Sequence, residues 1–141
     1  MSGNGNAVDW FVDRHQQEGR GAAIAFHDPW RSLSYGELAE ATRRFADALR
    51  GAGVARERRV AMLLLDTVDF PTAFWGAIRA GVVPVPVNTL LTHEVVGYIL
   101  ADSRADALVI SAPLVAPLLP VLHSLAAVSY THLTLPTIYS V

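Results

Sequence analysis

The chain has 141 residues, all 11 basic ones arginine, and a formal charge of -2, enough length for one domain with a core of its own. It holds no cysteine and no lysine, which excludes disulfides, thiolate metal sites, a cysteine nucleophile, Schiff-base chemistry and a lysine-bearing phosphate loop. The acidic balance argues against nucleic acid, and the cluster Arg56, Arg58, Arg59 reads as a solvated turn.

Met1 to Asn6 is short and polar and does not read as a secretory signal, so a cytoplasmic location is expected. Asn6 can cap a helix through Gln17, with Val8, Phe11, Val12 and His15 on one face and Gly19 and Gly21 beyond its end. Ala22 to His27 and Arg31 to Ser34 form the two strands of a hairpin about Asp28-Pro29-Trp30. Ser34-Tyr35-Gly36-Glu37 has the form of a capping box. The helix it opens carries Leu38, Ala41, Phe45, Ala48 and Leu49 at helical spacing and stops at Gly51 or Gly53.

Val60 to Leu65 is a continuous apolar run, as expected of a strand covered on both faces in a parallel sheet. Asp66 or Thr67 then caps a helix with Pro71 in its first turn, a buried stripe of Phe70, Ala73, Phe74, Ala77 and Ile78, and Gly81 as its stop. Val82 to Val87 is a strand whose Pro84 and Pro86 each remove a ladder donor, which places it at a sheet edge. Thr92 caps a helix carrying Val95, Val96, Ile99 and Leu100, and Ala107 to Ile110 is a further strand. Leu114 to Leu125 reads as a last helix that Pro117 and Pro120 bend or break. Ala107 to Val128 is uncharged and long enough on paper to cross a bilayer, but its prolines and its strand-like beginning argue against a membrane segment. The alternation predicts an α/β fold: a hairpin, then a doubly wound, mostly parallel sheet with flanking helices.

No chemistry-bearing motif emerges from the residues themselves. No glycine-rich turn follows a strand in the manner of a nucleotide fingerprint. The histidines at 15, 27, 93, 123 and 132 lack metal-ligand spacing and are assigned surface or helix-end roles. Asp66 and Asp69 read as helix-start carboxylates, and Trp10, Trp30 and Trp75 as core side chains. Ligands of open α/β sheets sit beyond the carboxyl ends of the strands, so Asp66, Thr67, Asn88 and Thr89 lie nearest to any such site.

Two stretches carry a resemblance. Ser32-Leu33-Ser34-Tyr35-Gly36-Glu37-Leu38 looks like the first core motif of the adenylate-forming superfamily, and Ala77 to Asn88, AIRAGVVPVPVN, resembles its second. Asp9 to His15, DWFVDRH, and Leu63 to Thr92 are similar to the benzoate–CoA ligase branch in particular. The resemblance spans about Asn6 to Leu125. It implies a parent enzyme that uses ATP and Mg2+ to join an aromatic carboxylate to AMP and then lets the thiol of CoA displace AMP. The adenylate removes the negative charge that protects a carboxylate from attack and supplies a leaving group.

In that family the phosphate loop, the aromatic-acid pocket, the ribose-binding Asp and the adenylation Lys lie downstream of the stretch present. The resemblance therefore implies residues 1–127 as a partial N-terminal AMP-binding domain with no catalytic, cofactor-binding or metal residue of its own, and no ligand bound by the fragment alone. Val128 to Thr137, VSYTHLTLPT, is similar to translated sequencing adapter, so residues 128–141 are expected to be a non-native tail. The alternative is a non-catalytic α/β binding or regulatory module. The particular acid and the oligomeric state have no signature in the sequence.

Overall fold

The structure, a computed structural model, describes residues 5–125 and 131–132. The expected tail lies outside the described residues, apart from the backbone of Thr131–His132.

Asn6 opens the first helical segment as expected: its Oδ1 accepts the N–H of Val8 at 3.0 Å, and its Nδ2 donates to the carbonyl of Ile78 at 2.9 Å. The segment then widens into a π-helical stretch, Asp9–Asp13, before tightening into α1 (Arg14–Gln17). Val8 and Val12 are buried by this winding, whereas Phe11 is turned outward. The hairpin is present: β1 (Ile24–His27) pairs antiparallel with β2 (Ser32–Ser34), with an irregularity between Ile24 and Phe26.

In α2 (Tyr35–Gly51) the capping box is complete, with the N–H of Glu37 donating to Ser34 Oγ at 3.2 Å and the N–H of Ser34 to Glu37 Oε2 at 2.8 Å. Removing that hydroxyl in Ser34→Ala is expected to cost about 1 kcal/mol, while Ser34→Asp keeps the cap, as thermal denaturation followed by circular dichroism would show. The buried stripe of α2 differs from the expected one. Leu38, Phe45 and Leu49 are buried, but Ala39, Thr42 and Ala46 replace Ala41 and Ala48. Thr42 tolerates full burial because its hydroxyl donates to the carbonyl of Ala39 and accepts from Arg79 Nε at 3.1 Å.

The main sheet has the order β4-β3-β5-β6, with every pair parallel: β3 (Arg59–Leu63), β4 (Val83–Pro86), β5 (Ala107–Ile110) and β6 (Thr131–His132). Strand parity divides its core in two. Val60, Met62, Ala107 and Val109 face α2 and α3 (Asp69–Ala80), whereas Ala61, Leu63, Leu108 and Ile110 face α4 (His93–Ser103) and α5 (Ala112–Ser124). Helices thus cover both faces, which is the expected doubly wound arrangement.

β4 takes the edge position that its prolines demanded. The N–H groups of Val83 and Val87 donate inward, to the carbonyls of Arg58 and Met62. By alternation the nitrogens of Pro84 and Pro86 point away from β3, where no ladder bond is forfeited. α3 ends at Gly81 with φ +74. Its buried stripe is Thr72, Ala73, Gly76, Ala77 and Ala80, while the expected Phe70, Phe74 and Ile78 are half-buried. Small residues face α2 because the two helices approach closely there.

The expected last helix is present as α5, and the prolines do not break it: it runs from Ala112 through Pro117 and Pro120 to Ser124. The two prolines remove the N–H partners of the Pro113 and Ala116 carbonyls, and all four residues are exposed, where water can satisfy those groups. With Ala107–Ile110 a strand and α5 only 13 residues long, no helix among the described residues is long and apolar enough to cross a membrane. Trp10 and Trp30 are 55% and 78% exposed, contrary to a core role, and Trp75 is half-buried. Arg14 lies over the Trp10 ring, 3.8 Å from its centroid, which gives that indole a partner at the surface.

Candidate functional site

The sheet order reverses at β3, so a ligand crevice would open between the carboxyl ends of β3 and β5. Ser111, directly after β5, spans that gap. Its N–H donates to the carbonyl of Leu63 at 3.0 Å and its Oγ accepts the N–H of Leu65 at the same distance. The two strand ends are tied together rather than splayed.

The described cavity lies beside this point, between the hairpin and the start of α3. It encloses about 250 Å³ and is lined by Phe26 and His27 from β1, Asp66, Thr67 and Val68 from the loop after β3, and Phe70 and Pro71 from α3. Of the residues placed nearest to a site by sequence, Asp66 and Thr67 are in its wall. Asn88 and Thr89 are not; Asn88 Oδ1 accepts the N–H of Leu90 in a local turn at the end of β4. Phe26 and His27 were not foreseen, because nothing in a short hairpin strand signals a loop some forty residues further along the chain. Ser111 was not foreseen either, although a hydroxyl directly after a buried strand is a signal that could have found it.

One carboxylate fixes the geometry. Asp28 Oδ1 accepts the N–H groups of Trp30 and Arg31, both at 2.8 Å, and its Oδ2 accepts the N–H of Val68 at 3.0 Å. Arg31 makes a bidentate pair with Asp69, at 3.2 and 2.8 Å, and the N–H of Asp69 donates to Thr67 Oγ1 at 3.3 Å. The hairpin turn is thereby bolted to the loop that supplies Asp66, Thr67 and Val68.

The Asp28 carboxyl is held below the usual carboxylate range, chiefly by the Val68 N–H, with the N–H groups of Trp30 and Arg31 and the Arg31 charge adding, against burial that pushes the other way. A lowered folded pKa means that this contribution is intact above the unfolded carboxylate value near pH 4, and is lost as acid takes the pH down through the folded value. Asp28→Asn presents an N–H₂ to one of those N–H donors. It is expected to lower the unfolding midpoint at pH 7 and to flatten its decline as the pH falls below about 4, which a series of thermal melts would measure.

A second ionic junction holds the N-terminal segment. Arg79 donates to Asp13 through both guanidinium nitrogens, at 2.9 and 2.6 Å, and the two side chains are only 16% and 15% exposed. Arg58, expected to be solvated, is exposed but clamps Asp106, and Arg56 packs against Gly81. His15, expected at the surface or at a helix end, lies in the last turn of α1, where it is half-buried and stacks on Tyr35 with centroids 3.9 Å apart. Burial, and then Arg20 and Arg14, lower its pKa.

These residues do not fit a magnesium nucleotide. The charged side chain in the cavity wall is the Asp66 carboxylate, which repels phosphate. Among the described residues no group of three or more His, Asp or Glu could hold a metal. The arrangement is suited to supporting a site and to packing apolar groups.

The chain is 52% identical over 122 residues to a 4-hydroxybenzoate–CoA/benzoate–CoA ligase of Rhodopseudomonas palustris, a match covering 86% of this chain and 22% of that protein. It is 43% identical to a benzoate–CoA ligase of Thauera aromatica, over 81% of this chain and again 22% of the relative. The crystal structure of a benzoate CoA ligase from Burkholderia xenovorans superposes with a TM-score of 0.82 at 41% identity, over 92% of this chain and 26% of that one. The chain thus spans about a fifth of the length of the curated relatives it matches. Residues 13–137 match the model of the AMP-binding enzymes, and with the two resembling motifs and the shared fold this establishes that the chain belongs to the AMP-binding enzyme family.

Proposed function

We propose that this chain is the leading part of an ATP-dependent aromatic acid–CoA ligase, in which a benzoate or hydroxybenzoate is activated as its acyl adenylate and passed to CoA. The observation that supports this most is the 52% identity to a ligase named for those two acids, across a stretch that is 22% of that ligase. ATP, Mg2+ and CoA belong to the complete enzyme in this reading. The charge of the cavity wall and the absence of lysine from the sequence speak against any of them being bound by these 141 residues. The chain's own residues act as scaffold: β3, β5 and Ser111 hold the sheet, and Asp28 and Arg31 position the loop after β3. A cytoplasmic location and a non-native origin for residues 128–141 are part of the same proposal.

Two measurements test it. The purified chain is expected to give no benzoate-dependent exchange of pyrophosphate into ATP, and detectable exchange would overturn the scaffold reading. A chimera carrying this chain's matched stretch in place of the corresponding part of the Rhodopseudomonas palustris ligase is expected to form benzoyl-CoA. A folded chimera without that activity would overturn the aromatic-ligase assignment.

A further inference from the structure

His15 closes α1 onto the start of α2. Its ring stacks on that of Tyr35, with the two planes 29° from parallel. Its carbonyl accepts the N–H of Arg20 at 2.8 Å, the side chain of Gln16 lies against Gly21 and Gly36, and the N–H of Gly36 donates to the carbonyl of Gly21 at 2.9 Å. Within this contact His15 Nδ1 is buried from solvent and has no hydrogen-bond partner among the described residues. Such a nitrogen is best left as the bare acceptor of a neutral ring, with the proton on Nε2. A buried N–H without an acceptor would forfeit its hydration for nothing.

The surroundings offer a second proton no welcome. Arg14 is held over the Trp10 ring, and its Nε is buried beside the histidine without a hydrogen bond of its own. Arg20 and Arg14 both repel a charge on the imidazole, and Glu18 is the carboxylate that attracts one. Glu18, however, is already paired with Arg20 and lies 3.8 Å from Arg14 Nε. Asp13 is taken up by Arg79, and Glu37 of α2 by its capping bond to the N–H of Ser34. What α2 turns toward His15 is the Tyr35 ring, whose face attracts a cation only weakly at a partly wet site.

We propose that the stack of His15 on Tyr35 is a pH-sensitive latch: it holds α1 and the turn after it, residues 14–21, on α2 while the imidazole is neutral, and releases them when Nδ1 gains a proton. Asp13 and everything before it stay pinned through Arg79 and through the bond from Asn6 to Ile78, so the opening is local. Burial, Arg20 and Arg14 depress the folded pKa, so the opened segment takes up the proton more readily than the closed one. The latch is therefore at full strength above the ordinary histidine value of about 6.5 and weakens as the pH falls below it.

A histidine titration by NMR, combined with amide hydrogen exchange on the 141-residue chain, tests this. The His15 midpoint is expected below about 6.5. The N–H groups of Glu18, Arg20 and Gly36, which close this segment, should exchange faster at about pH 5 than at about pH 7.5 once intrinsic rates are divided out, by up to about tenfold for each unit of that depression. Amides of β3 should show no such change. His15→Phe keeps a ring for the stack but cannot titrate, and should abolish the response. Arg20→Gln removes one repelling charge and frees Glu18, and should raise the His15 midpoint and shrink the response. A His15 midpoint at or above the ordinary value, an undiminished response in either variant, or an equal rise in the β3 amides would each overturn the latch.

Discussion

Gly76→Ala is expected to lower the midpoint of thermal unfolding by roughly 5–10 °C, corresponding to about 2 kcal/mol for a domain of this size. A methyl group placed on Gly76 would meet Phe45 Cδ1 at 2.6 Å, Cβ at 2.9 Å and Cγ at 3.1 Å. Two effects oppose each other. Alanine is the better helix former by about 1 kcal/mol, but forcing an extra carbon into a filled interface costs about 1–3 kcal/mol, and an approach as short as 2.6 Å puts this case at the upper end. The clash wins because Phe45 is only 1% exposed, within the cluster formed with Leu49, Ala73 and Ala77, and has nowhere to retreat. Relief must come from separating α2 and α3, which loosens every contact between them. Combining Gly76→Ala with Phe45→Leu should cost less than the sum of the single changes. Calorimetry in which Gly76→Ala melts at or above the parent midpoint would refute this account of the helix pair.

Arg79→Met carries the second large effect, an expected loss of about 3 kcal/mol. The change keeps the apolar stem but leaves Asp13 short of its bidentate partner and Thr42 without the guanidinium donor. Arg43, 3.6 Å from Asp13, offers weak compensation because it is itself 45% exposed. The N-terminal segment is held by this junction, by the bond from Asn6 to Ile78 and by Val8 and Val12 in the core, so it should be the first part to open. Limited proteolysis should cut before residue 20 in Arg79→Met well ahead of the rest. Adding Asp13→Asn should restore part of the stability, since an unpaired carboxylate at this depth is costlier than a neutral amide.

Local rules made most of the scaffold legible. Ser34 and Glu37 announce a helix start through chemistry that needs no distant partner, and Gly81 announces a stop through the backbone conformation it permits. The run from Val60 onward signals burial on both faces, and Pro84 with Pro86 signals an edge. What escaped depends on partners remote in sequence. Thr42 faces inward in place of Ala41 because Arg79 waits for its hydroxyl, 37 residues away. The π-helical winding at Asp9–Asp13 has no signature at the level of residue type, yet it decides that Phe11 faces out. Of the site, Asp66 and Thr67 were placed by the general rule for strand ends, whereas Phe26 and His27 arrive through the Asp28 junction, which only the folded chain reveals.

The outer margin of β4 has a consequence for self-association. A foreign strand laid against it would meet the rings of Pro84 and Pro86 where donors are needed and could complete only half a ladder. Filament growth requires two competent flanks on every subunit, one to attach by and one to extend from. With one flank disabled, edge-to-edge stacking of this sheet is expected to terminate at pairs rather than grow into an open-ended polymer.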